Sequence, residues 1–114
     1  MVECIFCKIV TGQVPAKLVY QDNDVIAFRD INPQAPLHVL IIPKKHFPTL
    51  ADLAEAELPL IGRMVNAARQ VAKQEGMLER GFRLVINSGK EGGQVVPHLH
   101  MHLLAGRRLT DGMG

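Results

Sequence analysis

The sequence predicts an α+β domain built on an antiparallel sheet. Short β-branched and aliphatic runs fall into two hairpin-like groups, and the segment between them is apolar at steps of three and four. Near the C-terminal end, histidines alternate with aliphatic residues, which marks a strand with one chemically active face.

Each element has a local reason. Cys4 to Val10 suits a short helix, ended by Thr11-Gly12. Lys17 to Tyr20 and Val25 to Arg29 form a hairpin around the turn residues Asp22-Asn23-Asp24. Asn32-Pro33-Gln34-Ala35-Pro36 cannot continue it, because two prolines remove donors and fix φ. His38 to Ile42 reads as a buried third strand. Leu58, Ile61, Val65, Ala68 and Ala72 make the apolar stripe of a long helix, with Arg63, Asn66, Arg69, Gln70 and Lys73 on its other faces. Pro59 belongs in the first turn, which puts the start near Glu55, and Gly76 stops the helix. Phe82 to Asn87 and Val95 to Leu104 complete five strands, joined by a glycine-rich loop from Ser88 to Gln94.

Composition narrows the function. A chain of 114 residues is one domain, 1–114. Its 47% hydrophobic and 21% charged content excludes a disordered polymer, and a net charge of +2 excludes a bulk electrostatic binder of nucleic acid. The longest apolar runs, such as Val39 to Pro43, are far short of the ~20 residues a membrane helix needs. Met1-Val2-Glu3-Cys4 has no basic, then apolar, leader, so a cytoplasmic protein is expected. Without Trp the core must be aliphatic, and a chain this small gains from pairing with a second copy.

Two segments carry chemistry. Cys4-Ile5-Phe6-Cys7 reads as two small buried thiols, half a zinc site or a redox pair; its extreme N-terminal position disfavours the redox reading. In Pro97-His98-Leu99-His100-Met101-His102-Leu103-Leu104, a strand puts His98, His100 and His102 on one face and Leu99, Met101 and Leu103 on the other, against the helix. Neighbouring histidines would stand ~7 Å apart at Cα, so three along a straight strand converge poorly on one metal. A plain solvent-facing strand would use Thr, Lys or Glu equally well. Imidazoles titrating near neutrality suit phosphate chemistry, with one ring attacking phosphorus and its neighbours handling protons. Gly89, Gly92 and Gly93 can turn backbone N–H groups toward an anion beside His100.

His98-Leu99-His100-Met101-His102-Leu103-Leu104 resembles the signature of the histidine triad (HIT) family. Ile5-Phe6-Cys7-Lys8-Ile9, the run from Ala27 to Pro36, His38, Ile42-Pro43-Lys44-Lys45-His46 and Gly92-Gly93-Gln94 resemble its Hint-like branch, in order and over nearly the whole chain. The resemblance implies a HIT-like fold, paired as a homodimer, that hydrolyses purine nucleoside phosphoramidates (AMP- or GMP-type) with no metal in the chemical step. It implies His100 as the nucleophile, His102 on the phosphate and leaving-group side, and His38 and His98 flanking. Asn87, Gly93, Gln94 and Val95 would surround the phosphate. Asp30 would receive the ribose hydroxyls, and Phe6, Ile9, Phe28 and Ile31 would wall the base slot. It also implies a structural zinc on Cys4, Cys7, His46 and His98, which would make His98 a ligand rather than a proton relay.

Two positions depart from the pattern. Val95 stands where eukaryotic Hint proteins have Ser, which removes a hydroxyl near the leaving group, and Pro97 stands where many have Tyr. The competing readings are a zinc-stabilised nucleotide-binding or interaction module with little turnover, and the dinucleoside polyphosphate hydrolysis of the Fhit-like branch. The loop wording and chain length favour the Hint-like branch.

Overall fold

A computed structural model describes residues 4–112; Met1–Glu3, read above only for the lack of a leader, lie outside the described residues. Helix α1 (Ile5–Val10) precedes strands β1 (Leu18–Gln21), β2 (Val25–Arg29) and β3 (Leu37–Pro43). Helix α2 (Pro59–Gln74) follows, then β4 (Arg83–Val85) and β5 (Met101–Ala105). The strands form one antiparallel sheet in the order β1-β2-β3-β5-β4. The expected α+β class, five strands and long and short helices are all present.

The Asp22 turn closes the first hairpin as its composition requires: Asp22 Oδ1 accepts from the N–H groups of Asp24 (2.8 Å) and Val25 (2.9 Å). All seven residues of β3 are buried, because both faces of the sheet are covered. On one face Val25, Ala27, Val39, Ile41, Met101 and Leu103 pack with Met64, Ala67, Ala68 and Val71 of α2. On the other, Ile26, Phe28, Leu40 and Ile42 pack with Cys4 and Phe6 at α1. The histidine face is therefore roofed by the short N-terminal helix. Among the described residues no helix is long and apolar enough to cross a membrane.

Several element boundaries differ from expectation. The first strand is displaced by one residue, to Leu18–Gln21, though the Lys17 carbonyl still accepts from Arg29 N–H at 3.0 Å. Helix α2 starts at Pro59, not near Glu55, because Pro59 has no N–H to donate to the Glu55 carbonyl. Leu58 N–H takes that carbonyl instead, in a separate 3₁₀ turn over Glu55–Glu57. The fourth strand is only Arg83–Val85, and the fifth begins at Met101, not Val95. Pro97 brings no donor to a ladder, and His98 N–H turns back to the Val96 carbonyl at 2.8 Å.

The apolar stripe of α2 is also rotated. Met64, Ala67, Ala68, Val71 and Ala72 are buried, whereas Leu58 is 50% exposed and Ile61 and Val65 are half-buried. Both sets have helical spacing, and the one richer in alanine lets the helix lie closer to the sheet.

Candidate functional site

His98 and His100 lie just before β5, and His102 lies within it. The alternation survives without a complete ladder: Leu99, Met101 and Leu103 enter the α2 core, while the histidines turn toward α1. The histidine face, expected to carry the chemistry, is largely covered. His98 is fully buried, His100 is buried beneath Phe6, and His102 is half-buried. His38 on β3 is paired with Leu104 and Leu40 with His102, which makes His38 and His102 diagonal neighbours. Their rings are 5.2 Å apart, and His100 and His102 are 5.1 Å apart.

Backbone partners assign a tautomer to each ring. A carbonyl can only accept, so His100 Nδ1, 2.8 Å from the His98 carbonyl, carries the proton. That leaves a lone pair on His100 Nε2. An N–H can only donate, so His38 Nδ1, 3.0 Å from Gln34 N–H, is the acceptor and His38 Nε2 carries the proton. His38 Nε2–H then donates to His102 Nδ1 at 2.9 Å. In neutral His102 the remaining hydrogen sits on Nε2. One ring thus offers a lone pair and its neighbour a donor.

Burial, reinforced by the charges of His100 and His38 and opposed by Asp30, lowers the His102 pKa to about 4. Burial also lowers that of His38, against the pull of Asp30. Both rings are therefore neutral at neutral pH. The Asp30 carboxylate lies 3.4 Å from His38 Nε2 through Oδ2, while Oδ1 accepts from Asn32 N–H at 2.8 Å. The side chain retains acceptor capacity for a ligand.

Phe6 and Phe28 meet edge-to-face at 5.6 Å, with Ile9 packed beside them. Ile31 is 93% exposed. In the glycine loop, a Cβ on Gly92 would sit 2.5 Å from the Ser88 carbonyl oxygen, so the turn admits only glycine there. Asn87 Nδ2 donates to the Gly92 carbonyl at 2.7 Å. Gln94 is a brace: its Oε1 accepts from Gly89 N–H, and its Nε2 donates to the carbonyls of Pro48 and Val96. Gly93 N–H is spent on the Lys90 carbonyl at 3.1 Å. Val95 is 87% exposed and stands on the open side of the loop.

The four expected metal ligands converge. Cys4 Sγ, Cys7 Sγ, His46 Nδ1 and His98 Nδ1 all lie within 4.8 Å of one another. His98 Nδ1 is 3.3 Å from Cys4 Sγ, 3.6 Å from Cys7 Sγ and 3.1 Å from His46 Nδ1; Cys7 Sγ is 3.3 Å from His46 Nδ1. Tetrahedral zinc bonds to sulfur and nitrogen imply N–N spacings of about 3.3 Å and S–N spacings of about 3.5 Å. The donor set fits. His98 Nε2 lies 2.9 Å from the Pro43 carbonyl, so it carries the proton and leaves Nδ1 free to ligate. Burial, then the adjacent Cys4 sulfur, raises the Cys7 pKa; a cation among the four ligands opposes that effect.

Asp30, His38 and His102 also cluster within 4.8 Å, and they fit a metal poorly. The Gln34 N–H holds the His38 proton on Nε2, the atom that would have to ligate. The two clusters are thus told apart by which nitrogen the backbone occupies.

The HIT domain profile matches residues 11–109. The chain belongs to the HIT domain family. It is 50% identical over 107 residues to the purine nucleoside phosphoramidase of Escherichia coli K12, covering 94% of this chain and 90% of that one. It is 50% identical over 108 residues to a 14 kDa zinc-binding protein of Zea mays, covering 93% and 84%. The crystal structure of a HIT family hydrolase from Legionella pneumophila Philadelphia 1 superposes with a TM-score of 0.95 at 47% identity, covering 98% of this chain and all of that one. Three groups that orient the histidines of this HIT domain were not foreseen: Gln34 N–H and the carbonyls of His98 and Pro43. They are backbone groups, which every residue carries, so no side-chain pattern reports them.

Proposed function

We propose that this chain hydrolyses purine nucleoside phosphoramidates through a covalent nucleotidyl-histidine at His100. The observation that carries the reading is the His100 tautomer: Nδ1 is bound to the His98 carbonyl, so Nε2 holds the lone pair. His100 Nε2 attacks the α-phosphorus, and the P–N bond to the amine breaks with its electron pair leaving on nitrogen. The departing nitrogen takes a proton from water. The imidazolium formed on His100 is stabilised by its Nδ1–H bond to the His98 carbonyl. His102 Nε2–H donates to a phosphoryl oxygen and is aligned by His38. Water then attacks phosphorus, the bond to His100 breaks, and the nucleoside monophosphate leaves.

Asp30 receives the ribose hydroxyls, and Phe6, Ile9, Phe28 and Ile31 bound the base. Asn87 and the backbone of Gly93, Gln94 and Val95 border the phosphate. With Val95 in place of a hydroxyl-bearing residue, no side chain there relays a proton to the leaving amine. Cys4, Cys7, His46 and His98 hold a structural zinc that supplies cross-linking, not chemistry. The similarity to the zinc-binding protein of Zea mays and the fit of the donor set support it.

Residues 1–114 act as one HIT unit in the cytoplasm, paired as a homodimer. The incompletely buried Ile61 and Val65 on α2, with Leu58 at its N-cap, support pairing. The test is a fluorogenic adenosine phosphoramidate assay of wild type and His100→Asn. Turnover abolished by the substitution is expected. A wild type no faster than buffer would instead favour the zinc-stabilised binding module, and faster turnover of dinucleoside polyphosphates would favour the Fhit-like reading.

A further inference from the structure

The C-terminal segment after β5 touches the loop that orients His38. Arg107 Nη2 donates to the Gln34 carbonyl at 2.9 Å, and its Nη1 donates to the Arg108 carbonyl at 3.1 Å. One residue earlier, Gly106 takes φ +99°, and a Cβ there would lie 2.7 Å from Pro36 Cβ. The segment therefore lies directly against the Gln34–Pro36 stretch. Gln34 is the residue whose N–H points at His38 Nδ1.

We propose that Arg107 is a positioning residue for the histidine pair: it clamps the Gln34 segment so that the Gln34 N–H holds His38 in its Nε2–H tautomer. The chain of contacts is continuous. The Arg107 guanidinium binds the Gln34 carbonyl, Gln34 N–H binds His38 Nδ1, and His38 Nε2–H binds His102 Nδ1. Only that order of donors leaves the His102 hydrogen on Nε2, where it meets the substrate. If the clamp is lost, the loop is held on this side by Gln34 Nε2 on the Asn32 carbonyl, a bond internal to the loop. His38 Nδ1 then has no fixed donor opposite it, and its Nε2 proton is kept only by His102 Nδ1 and, at 3.4 Å, by Asp30 Oδ2; where the proton moves to Nδ1, the Nε2 lone pair faces the lone pair of His102 Nδ1. Arg107 is exposed and touches none of the reacting groups, so it acts through His38 alone. A guanidinium suits the task because its planar fork grips two carbonyls at once, which an ammonium holds less rigidly.

The inference rests on the proposed phosphoramidate chemistry for its kinetic consequence but not for its structural one. The experiment therefore has two arms. Nitrogen-15 spectra of histidine-labelled protein report which ring nitrogen of His38 is protonated, in wild type, Arg107→Ala and Arg107→Lys. Steady-state kinetics on the adenosine phosphoramidate report kcat and KM for the same three proteins. The expected result is a His38 that is Nε2–H in wild type and mixed in Arg107→Ala. kcat should drop about tenfold with KM changed less than twofold, and Arg107→Lys should recover part of both signals. An Arg107→Ala protein with the wild-type His38 spectrum overturns the proposal, whatever its kcat. A wild type without turnover contradicts the function and leaves the spectra to decide the clamp. A melting temperature within a few degrees of wild type confirms that the variants compared are folded.

Discussion

Asp30 has two neighbours in the chain and a third role in the proposed chemistry. Its Oδ1 accepts from Asn32 N–H, and its Oδ2 faces His38. Asp30→Asn keeps the shape but turns one acceptor into a donor, which cannot accept from a ribose hydroxyl. Loss of those charge-assisted bonds should cost about 1.5–3 kcal/mol, or roughly ten- to a hundredfold in AMP affinity by calorimetry. Unchanged affinity would remove Asp30 from the site. His102 makes a separate prediction about pH. Its folded pKa, about 4, is below the ~6.5 of an unfolded histidine, mainly through burial. Between those values the unfolded chain binds more protons, so stability rises with pH. Its contribution is complete above about pH 6.5 and is lost as pH falls toward 4; His38, shifted the same way, adds to it. Thermal melts from pH 7.5 to 4.5 should show this decline, and His102→Asn should flatten it. An equal slope in both proteins would mean that His102 is not held neutral by the fold.

At the scale of elements, α1 is the least self-sufficient part of the molecule. It has six residues, and an isolated helix that short is unstable in water. Cys4 caps it by accepting from Cys7 N–H, Phe6 buries against Phe28 and two histidines, and its two cysteines meet His46 and His98. The proposed zinc ion would tie the helix to the residues preceding β5, and metal binding to the folded state alone adds directly to stability. Removing it with a chelator should lower the melting temperature by on the order of 10 °C. Protein purified without added metal should contain close to one equivalent of zinc. Less than about a tenth of an equivalent, with no chelator effect, would return Cys4 and Cys7 to small thiols packed beside Phe6.

These elements also show what could be read from the chain. β2 and β3 were legible because continuous aliphatic runs bounded by turn residues admit few alternatives, and the Asp22 turn names itself. The phase of α2 was not, because two overlapping stripes have the same period and only packing chooses between them. The start of β5 was missed because alternation survives in extended chain that has no ladder. In the site, the alternating histidines stood out by spacing and the cysteine pair was flagged by it, while His38 and His46 were found only through the family resemblance. Gln94 did not announce that its amide is spent on the loop, since a brace and a ligand look alike in sequence.

Across the whole molecule, the sheet separates two jobs. Its α2 face is a continuous aliphatic core, and its α1 face carries the aromatic pair, the cysteines and the four histidines of the site. β3 lies between them and serves both: Ile41 is fully buried toward α2, while His38 and Leu40 face α1. Ile41→Ala should therefore destabilise the protein by about 2–5 kcal/mol in chemical denaturation without changing the order of donors in the site. A loss below about 1 kcal/mol would contradict the two-sided core. The central claim is that the His100 lone pair becomes bonded to phosphorus. Rapid acid quench of wild type turning over the adenosine phosphoramidate, followed by intact-protein and peptide mass spectrometry, tests it directly. The account predicts a single nucleotidyl adduct, mapped to His100 and absent from His100→Asn. Turnover with no adduct on that time scale, in a quench shown to preserve phosphohistidine, or an adduct on His98 or His102, would contradict it.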